Sequence, residues 1–484
     1  MRNKAEPHPF YAVFMRWILT FFKRHTSKVN LEAGIMAQQS DHSTFFKHYM
    51  AYLSSPAVAP MAIAAFLLLA LFFVHSTRSR RRRSVALDYP GCARFGLYGR
   101  SNLDKRRVSH ADSSNEPRVQ AIFAYPIKSC RGVELQTTEI TSTGLKYDRL
   151  FSFAHWVQRR DGKGRVIEGE YHWKFLTQRE KPQLSQVTTE LWIPDPRLRS
   201  ELLPEDVEVS EASGRDALND WEANGGCLVV RFPFAPEGST ETVTFKLPLK
   251  PTSERAAAKG YSYAPMKIWK DHPLAVNVSS EIDPIILEKL KSFLGVERSF
   301  ALFRIDDNDN LRTVTRCLPK DRLEETFQVG FADAFPVSLL SIASVRAIDD
   351  FLPSTSQIKY SLSPRCFRAN IFISGIPAFA EDQWKRIILG RAGNPGEVAS
   401  DSEFHVACRT ARCSLPNVDP ETGLRDREEP FMTLERKRQV DDGAKPHAVL
   451  GLSMIPLFER GWLRVGEKVE VLETGEHVYE KMYT

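Results

Sequence analysis

Short apolar runs, rich in β-branched and aromatic residues, recur along most of the chain and predict strands. The first three are "RVQAIFAY" from Arg118, "VELQTTEI" from Val133 and "RLFSFAHW" from Arg149. Further candidates are "CLVVRFPF", "TVTFKLPL" and "NIFISG". Near the C-terminus, "GWLRVGEKVEVLE" predicts two strands joined by a hairpin around residues 465–469, which would close a barrel.

Helical spacing of apolar residues is found in few stretches. In "DPIILEKLKSFLG", Asp283 is a candidate N-cap, Pro284 suits the first turn and Gly295 suits the end of a helix. The stretches 338–352 and 380–390 also repeat apolar residues at helical spacing. Together with the strand pattern, this predicts a β-rich α+β fold, a β-barrel architecture with peripheral helices.

The longest apolar run, "PAVAPMAIAAFLLLALFFV", covers residues 56–74 and contains no charged residue. As a helix it would span roughly 28 Å, close to the thickness of the hydrocarbon core of a bilayer. The arginine cluster "RSRRRR" that follows is typical of the cytoplasmic side. The sequence therefore predicts a single transmembrane helix followed by a cytosolic domain. The alternative is a cleaved secretory signal, which the distance of the run from Met1 disfavours.

The net charge of +6 does not indicate a nucleic-acid-binding surface, because the positive charge is concentrated near the N-terminus. Residues 1–83 hold 12 Lys and Arg against 3 Asp and Glu, which leaves the rest of the chain at a net charge of −3. Membrane topology and anionic lipid account for the basic block. Seven cysteines at irregular spacing argue against a disulfide framework and indicate a reducing compartment.

The loop "YPIKSCRG" places Lys128, Ser129 and Arg131 directly after a predicted strand. Two cations and a hydroxyl can present hydrogen-bond donors to a phosphate there, and the alternative is a loop of solvated charges. Arg149 in "GLKYDRL" and Arg179 in "FLTQREKPQL" lie beside hydrophobic strand residues. Four basic residues near strand ends indicate a pocket for a polyanion.

Two later stretches carry the remaining candidate residues. In "RCFRANIFISG", Arg368 and Asn370 stand just before a predicted strand, and the alternative for Arg368 is an exposed arginine. In "RTARCSLPNVDPETG", Cys413 has three interpretations: a buried structural cysteine, a catalytic nucleophile or a ligand of a soft metal. Arg409 and Arg412 would favour the thiolate that both active roles need.

In their order along the chain, the stretches "YPIKSCRG", "GLKYDR", "FLTQRE", "FRAN", "FAEDQW" and "RCSLPNVDPETG" resemble the MOSC-domain family. Within that family they are similar to the mitochondrial amidoxime-reducing component and its bacterial relatives. The resemblance implies an N-terminal β-barrel domain at 118–275, a helical connector at 276–311, a MOSC β-barrel domain at 312–473 and a tail at 474–484. Before these we expect a variable segment at 1–55, the transmembrane anchor at 56–77 and a basic linker at 78–117.

The resemblance also implies a bound molybdenum cofactor, which is a pterin dithiolene with a terminal phosphate. The residues that it implies for binding this cofactor are Lys128, Ser129, Arg149, Arg179, Arg368, Asn370 and Cys413. By the same resemblance, Cys413 would be the catalytic residue and would ligate molybdenum as a thiolate, a soft ligand for a redox-active metal.

The reaction of the family is the reduction of N-hydroxylated compounds, such as amidoximes and hydroxylamines, with two electrons and two protons. The resemblance implies cytochrome b5 and NADH-cytochrome b5 reductase as electron donors, and a location at the mitochondrial outer membrane or the endoplasmic reticulum. Two alternatives stay open. One is a molybdenum-cofactor carrier or sulfur-handling MOSC protein without reductase activity, and the other is an inactive, membrane-tethered scaffold.

Overall fold

The computed structural model of the protein describes residues 89–104, 116–198, 220–235, 241–306, 310–392 and 400–481. The predicted segment 1–55 and transmembrane anchor 56–77 lie outside these residues, as does much of the predicted linker. Within the described ranges, no helix combines the length and the apolar character needed to cross a membrane. The described residues all belong to one compact unit, Asp88–Thr484.

Strands dominate the described part of the chain. The first eight are β1 Cys92–Phe95, β2 Arg118–Ala124, β3 Val133–Leu135, β4 Thr137–Thr141, β5 Gly144–Leu145, β6 Phe151–Arg160, β7 Val166–Phe175 and β8 Thr188–Pro194. The next seven are β9 Cys227–Phe234, β10 Glu241–Pro248, β11 Ser262–Lys267, β12 Leu274–Asn277, β13 Phe300–Arg304, β14 Arg312–Thr313 and β15 Gln328–Val329. The last seven are β16 Val337–Ser341, β17 Ile371–Ser374, β18 Trp384–Ala392, β19 Ser400–Ala411, β20 Val449–Pro456, β21 Arg460–Arg464 and β22 Val469–Thr474.

Helices are short and few among the described residues. The α-helices are α1 Ser253–Ala258, α2 Pro284–Phe293, α3 Ile342–Phe351 and α4 Phe431–Lys437. The 3-10 helices are Pro182–Gln186, Ser279–Glu281, Pro364–Phe367, Ala380–Gln383 and Leu415–Asn417. A β-rich fold with peripheral helices is therefore confirmed for this part of the chain.

A five-stranded closed barrel forms in the first half of the described chain, in the order β11-β12-β13-β6-β7. Strand β6 runs antiparallel to β13, with Phe151 opposite Arg304 and His155 opposite Phe300. The predicted N-terminal barrel is thereby confirmed. It includes β13, which lies with helix α2 inside the helical connector predicted for 276–311. Beside the barrel lies an antiparallel sheet in the order β1-β8-β9-β10, so that part of the predicted linker, Cys92–Phe95, is a strand.

The largest sheet has eleven strands, in the order β3-β2-β17-β16-β20-β19-β18-β21-β4-β5, with β22 paired to β18. Strands β3 and β4 lie near opposite ends of this order, yet Gln136 alone separates them in the chain. The sheet therefore curves into a half-barrel that brings its two ends close together. Strand β20 lies between β16 and β19, and all eight of its residues are buried. The sheet joins β2–β5 to β16–β22 and so draws on both predicted domains, whose boundaries stay a prediction.

Several local predictions are confirmed. Strand β9 spans the eight residues of "CLVVRFPF". Helix α2 begins after Asp283, whose carboxylate accepts a hydrogen bond from the Ile285 N–H, and Gly295 follows its end with φ +59°. An N-cap and a terminating glycine are local signals, which explains why the sequence predicts this helix well.

Three predictions are wrong in part. The stretch 338–352 begins as strand β16, and helix α3 starts only at Ile342. The stretch 380–390 is a single 3-10 turn followed by β18, in which buried residues alternate with half-buried ones from Ile387 to Gly390. The predicted C-terminal hairpin does not form, because β21 and β22 both pair with β18. Their connection is instead bound to β2, through the Gly466 N–H and the Val119 carbonyl.

Candidate functional site

Cys413 follows β19, which ends at Ala411. The backbone N–H of Arg412 donates to the carbonyl of Ala448 over 2.8 Å, so the chain stays paired up to the residue before the thiol. The 3-10 helix Leu415–Asn417 then turns the chain away. Of the seven cysteines in the chain, Cys413 alone is half-buried, and the other six are buried. Cys413 is therefore the least buried of the seven cysteines, and its role as a metal ligand stays a prediction.

The loop after Cys413 is held by its own hydrogen bonds. The carboxylate of Asp419 accepts from the backbone N–H of Glu421 over 2.9 Å and from that of Thr422 over 2.7 Å. The carbonyl of Asp419 accepts from the Gly423 N–H, and Gly423 adopts a φ of +70° that favours glycine. An Asx-type turn of this kind fixes the course of the loop that carries the thiol.

Arg412 connects Cys413 to the neighbouring strands. Its guanidinium donates to the carbonyl of Leu450 over 2.8 Å and to that of Phe367 over 3.1 Å. Burial lowers the pKa of Arg412 to about 10, whereas the charge interaction with Cys413 raises it. At Gly451, with φ +71°, a Cβ atom would lie 3.2 Å from the Arg412 guanidinium, so a larger residue would crowd this arrangement.

Arg409 does not support the thiolate, which corrects the sequence-based prediction. Its guanidinium lies 3.2 Å from the carboxylate of Asp441, and its Nε donates to the carbonyl of Asp382. Both side chains of the ion pair are buried, at 6% exposed for Arg409 and 0% for Asp441. The charge of Arg409 is therefore neutralised inside the fold.

Lys128 lies in the loop after β2, and its side chain is only 7% exposed. Its ammonium donates to the Asp333 carboxylate over 2.6 Å and to the Phe331 carbonyl over 2.8 Å. Burial lowers the pKa of Lys128 to about 8, although the charge of Asp333 opposes this shift. Beside it, Ser129 is buried, has a φ of +68° and makes no side-chain hydrogen bond within the described residues. The alternative of solvated loop charges is thus wrong for Lys128.

Arg149 and Arg368 lie against the Tyr125 ring. The guanidinium carbons lie 4.4 Å and 4.3 Å from the ring centroid, within the range of cation–π attraction. Arg149 also pairs with Asp148 at 2.5 Å and donates to the carbonyl of Arg368. Arg368 donates to the carbonyl of Cys130 over 2.6 Å, while its buried Nη2 has no hydrogen-bond partner in the described chain. Two predicted site residues thus share one aromatic ring.

Arg179 and Asn370 play different parts. The Arg179 guanidinium lies 4.8 Å from the centre of the Trp269 ring, and the Trp269 indole donates to the same Asp333 carboxylate that pairs with Lys128. Asn370 is buried, and its side-chain oxygen accepts from the N–H and the hydroxyl of Ser338. Its amide nitrogen donates to a carbonyl of β2. Asn370 therefore ties strands together, and Arg179 extends the basic cluster.

The structure brings most of the predicted residues together from distant parts of the sequence. Phe367, whose carbonyl binds Arg412, directly precedes Arg368, so the Cys413 end of β19 adjoins the Tyr125 cluster. Three residues that contact the basic side chains were not predicted from the sequence: Tyr125, Trp269 and Asp333. Tyr125 begins the motif "YPIKSCRG", so an aromatic residue before the cations was the available signal. Asp333 gave no such signal, because it lies 205 residues from Lys128.

A cavity of about 430 Å³ opens beside this cluster, and Tyr125 and Arg368 line it. Other parts of its wall come from β1 and the residues after it, from the loop after β2, from the stretch between β7 and β8 and from the loop after Cys413. A space of this size can hold a small organic ligand. No group of three or more His, Cys, Asp or Glu side chains placed to hold a metal ion occurs among the described residues.

Comparison with protein families gives two matches along this chain. Residues 116–219 match the MOSC N-terminal beta barrel domain, and residues 326–470 match the MOSC domain. The first match contains Lys128, Arg149 and Arg179, and the second contains Arg368 and Cys413. Both groups of candidate site residues therefore lie in regions with the expected family pattern.

Individual relatives match this chain in sequence over most of its length. Mitochondrial amidoxime-reducing component 1 of Xenopus laevis is 33% identical over 372 residues, which are 75% of this chain and 85% of that protein. Mitochondrial amidoxime reducing component 2 of Bos taurus is 27% identical over 363 residues, and that of Rattus norvegicus 25% identical over 361. In both cases the match covers 75% of this chain and 82% of the relative.

Proposed function

This chain belongs to the family of MOSC-domain proteins that includes the mitochondrial amidoxime-reducing components, and we propose that it is a molybdenum-cofactor oxidoreductase. Its substrates would be N-hydroxylated compounds such as amidoximes and hydroxylamines. The observation that carries the proposal is the position of Cys413. It is the half-buried thiol of the chain, held by a braced loop beside the basic Tyr125 cluster.

The residues present fit such a cofactor. Arg368 has a buried N–H group without a partner in the described part of the chain, and Ser129 places a buried hydroxyl beside Lys128. Lys128 uses two of its three N–H donors on Phe331 and Asp333, which leaves one for a phosphate oxygen. These three side chains, with Arg149 and Arg179, would hold the phosphate and the pterin, and Cys413 would ligate the metal.

When bound, the cofactor would supply two electrons to the N–O bond, which with two protons yields the amidine or amine and one water. The chain has to hold the anionic cofactor and position the substrate. Lys128 is buried and paired, and Arg149 and Arg368 both lie against one ring, so little reorganisation would be needed on binding. Asn370 would act as a positioning residue, because its amide fixes β2, β16 and β17.

Electrons would come from cytochrome b5 and NADH-cytochrome b5 reductase. Residues 56–77 would anchor the protein in a membrane with the catalytic part in the cytosol, at the mitochondrial outer membrane or the endoplasmic reticulum. The support for this location is the apolar run followed by arginines and the word "mitochondrial" in the names of the relatives.

The proposal is tested with the full chain, purified in detergent from a molybdenum-replete host. We expect about one bound pterin per chain, measured by fluorescence after oxidative release, and turnover of benzamidoxime with reconstituted cytochrome b5 and its reductase. Omission of cytochrome b5 is the control. Bound pterin without turnover would favour a cofactor carrier, and absence of bound pterin would overturn the proposal.

A further inference from the structure

Arginines dominate the charged lining of the 430 Å³ cavity. The arginines are Arg94, Arg131, Arg365 and Arg368, and the carboxylates are Glu134 and Glu421. The lining therefore carries two positive charges in excess. A concave, partly dehydrated surface with such an excess attracts anions more strongly than a flat surface does.

One carboxylate already lies between two of these arginines. One oxygen of Glu421 lies 2.7 Å from the Arg131 guanidinium, and the other lies 2.9 Å from that of Arg365. A carboxylate held through both oxygens by two guanidinium groups is the geometry in which arginine binds anionic ligands. The Glu421 side chain is 53% exposed, so an incoming anion can displace it at low cost.

Further N–H groups of the lining residues are not used. The buried Nε of Arg131 has no hydrogen-bond partner within the described chain, whereas the unpaired Nη2 of Arg368 is the group proposed above to bind the cofactor. Arg94 at the rim lies over the Tyr98 ring at 5.2 Å and forms no ion pair with the described carboxylates. Buried N–H groups without partners are costly, so their presence favours a ligand with several acceptor oxygens.

The outer wall comes from a segment that precedes both family matches. Strand β1 is paired with β8, and the Leu97 N–H donates to the Glu134 carbonyl over 2.7 Å. The Asn102 N–H donates to the Glu134 carboxylate over 2.7 Å. Residues 92–102 are therefore fixed against the cavity, although the first family match starts only at residue 116.

We propose that this cavity binds the anionic group, a carboxylate or a phosphate, of the substrate. Arg131 and Arg365 clamp that group, Arg94 attracts it at the rim, and Glu421 competes for the same position. Glu421 lies on the loop that begins at Cys413, and Arg368, which also lines the cavity, directly follows Phe367, whose carbonyl binds Arg412, so the subsite lies near the candidate reaction centre. The assignment of the ligand as a substrate rests on the proposed function, whereas the anion subsite itself does not.

The test compares benzamidoxime with its 4-carboxy analogue, using the full chain and the reconstituted donors. Glu421→Gln should lower the ratio of the KM of the charged to the KM of the neutral substrate by about three-fold, and Arg365→Gln should raise it by about ten-fold. Glu325→Gln is the matched control, because Glu325 is also an ion-paired glutamate, 52% exposed, and does not line the cavity. Equal ratios in all variants would overturn the proposal.

A binding measurement tests the anion subsite independently of the reductase activity. Benzoate should raise the melting temperature of the cofactor-free chain and of Glu421→Gln, but not that of Arg365→Gln. If benzoate stabilises the chain through Arg365 while neither amidoxime is reduced, the anion subsite stands and the proposed function fails. If Arg365→Gln instead loses bound pterin, the site takes the phosphate of the cofactor, and the substrate assignment is overturned.

Discussion

Two groups of arginines near β19 differ in how completely their charges are paired. In the paired network, Arg409 meets Asp441 at 3.2 Å and Arg438 meets Asp382 at 2.5 Å, so that each guanidinium has a carboxylate. In the Tyr125 cluster, Arg368 has no carboxylate partner among the described residues and keeps one buried N–H unpaired. Charge beside a strand end does not by itself indicate a binding site, whereas an unpaired buried cation does.

Cys408 and Cys413, five positions apart, differ in how deeply their thiols are buried. Cys408 is 1% exposed and packs in an apolar cluster with Cys317, Ala407 and Ile455. Burial raises the pKa of the Cys408 thiol well above its usual range. Cys413, past the end of the same strand, is half-buried. Strand β19 buries one thiol, and the loop after it leaves the other half-buried.

The largest expected effect comes from Cys413→Ser. Because an alcohol is a poor ligand for a soft metal, kcat for benzamidoxime should fall by more than about 100-fold, a loss at least as large as that caused by removing an outer-shell partner of a metal ligand. Kinetics with molybdenum analysis of the same sample measure it. Cys408→Ser is the matched control and should keep kcat per folded molecule. Wild-type kcat in Cys413→Ser would contradict the assignment.

A second prediction sets Arg409 against Arg368. Arg409→Gln leaves the buried Asp441 without its cation and should lower the free energy of unfolding by about 3 kcal/mol. Arg368→Gln removes a cation that has no carboxylate partner in the described chain, so stability should change by less than about 1 kcal/mol while pterin content falls. Denaturant unfolding and pterin release measure the two effects. Equal stability losses would remove the distinction between the two regions.

Local sequence patterns predicted the helices and strands better than they predicted the contacts between them. Helix α2 was predicted from its cap and its glycine, and β9 from eight apolar and β-branched residues. The stretch 380–390 was misassigned, because its apolar residues suit both helical and strand periods and the pairing with β19 decides. Lys128 and Cys413 were singled out from local sequence and given their cofactor roles by the family resemblance, whereas the partnership of Lys128 with Asp333 depends on tertiary contacts that no local pattern encodes.

Glu381, next to Asp382 of the paired network, is a buried carboxylate without a cation among the described residues, and it gives the last predicted effect, a change in stability with pH. Glu381 is 0% exposed, meets no cation in the described chain and has one carboxylate oxygen without a hydrogen-bond partner. Burial raises its pKa from 4.5 to about 7. The folded state therefore holds the proton more tightly than the unfolded state, and the stability this provides is complete below pH 4.5 and lost as the pH rises through 7.

Glu381→Gln mimics the protonated form and keeps an oxygen that can accept from the Ser344 hydroxyl, as Glu381 does over 2.7 Å. The variant should match the wild type near pH 4.5 and exceed its free energy of unfolding by at most roughly 3 kcal/mol at pH 8. Urea unfolding at both pH values measures the difference. A constant difference between the two proteins at both values would show that Glu381 is ionised throughout. Glu381 would then be an ionised carboxylate like Asp382 and Asp441. The contrast between the paired network and the Tyr125 cluster would rest on their arginines alone.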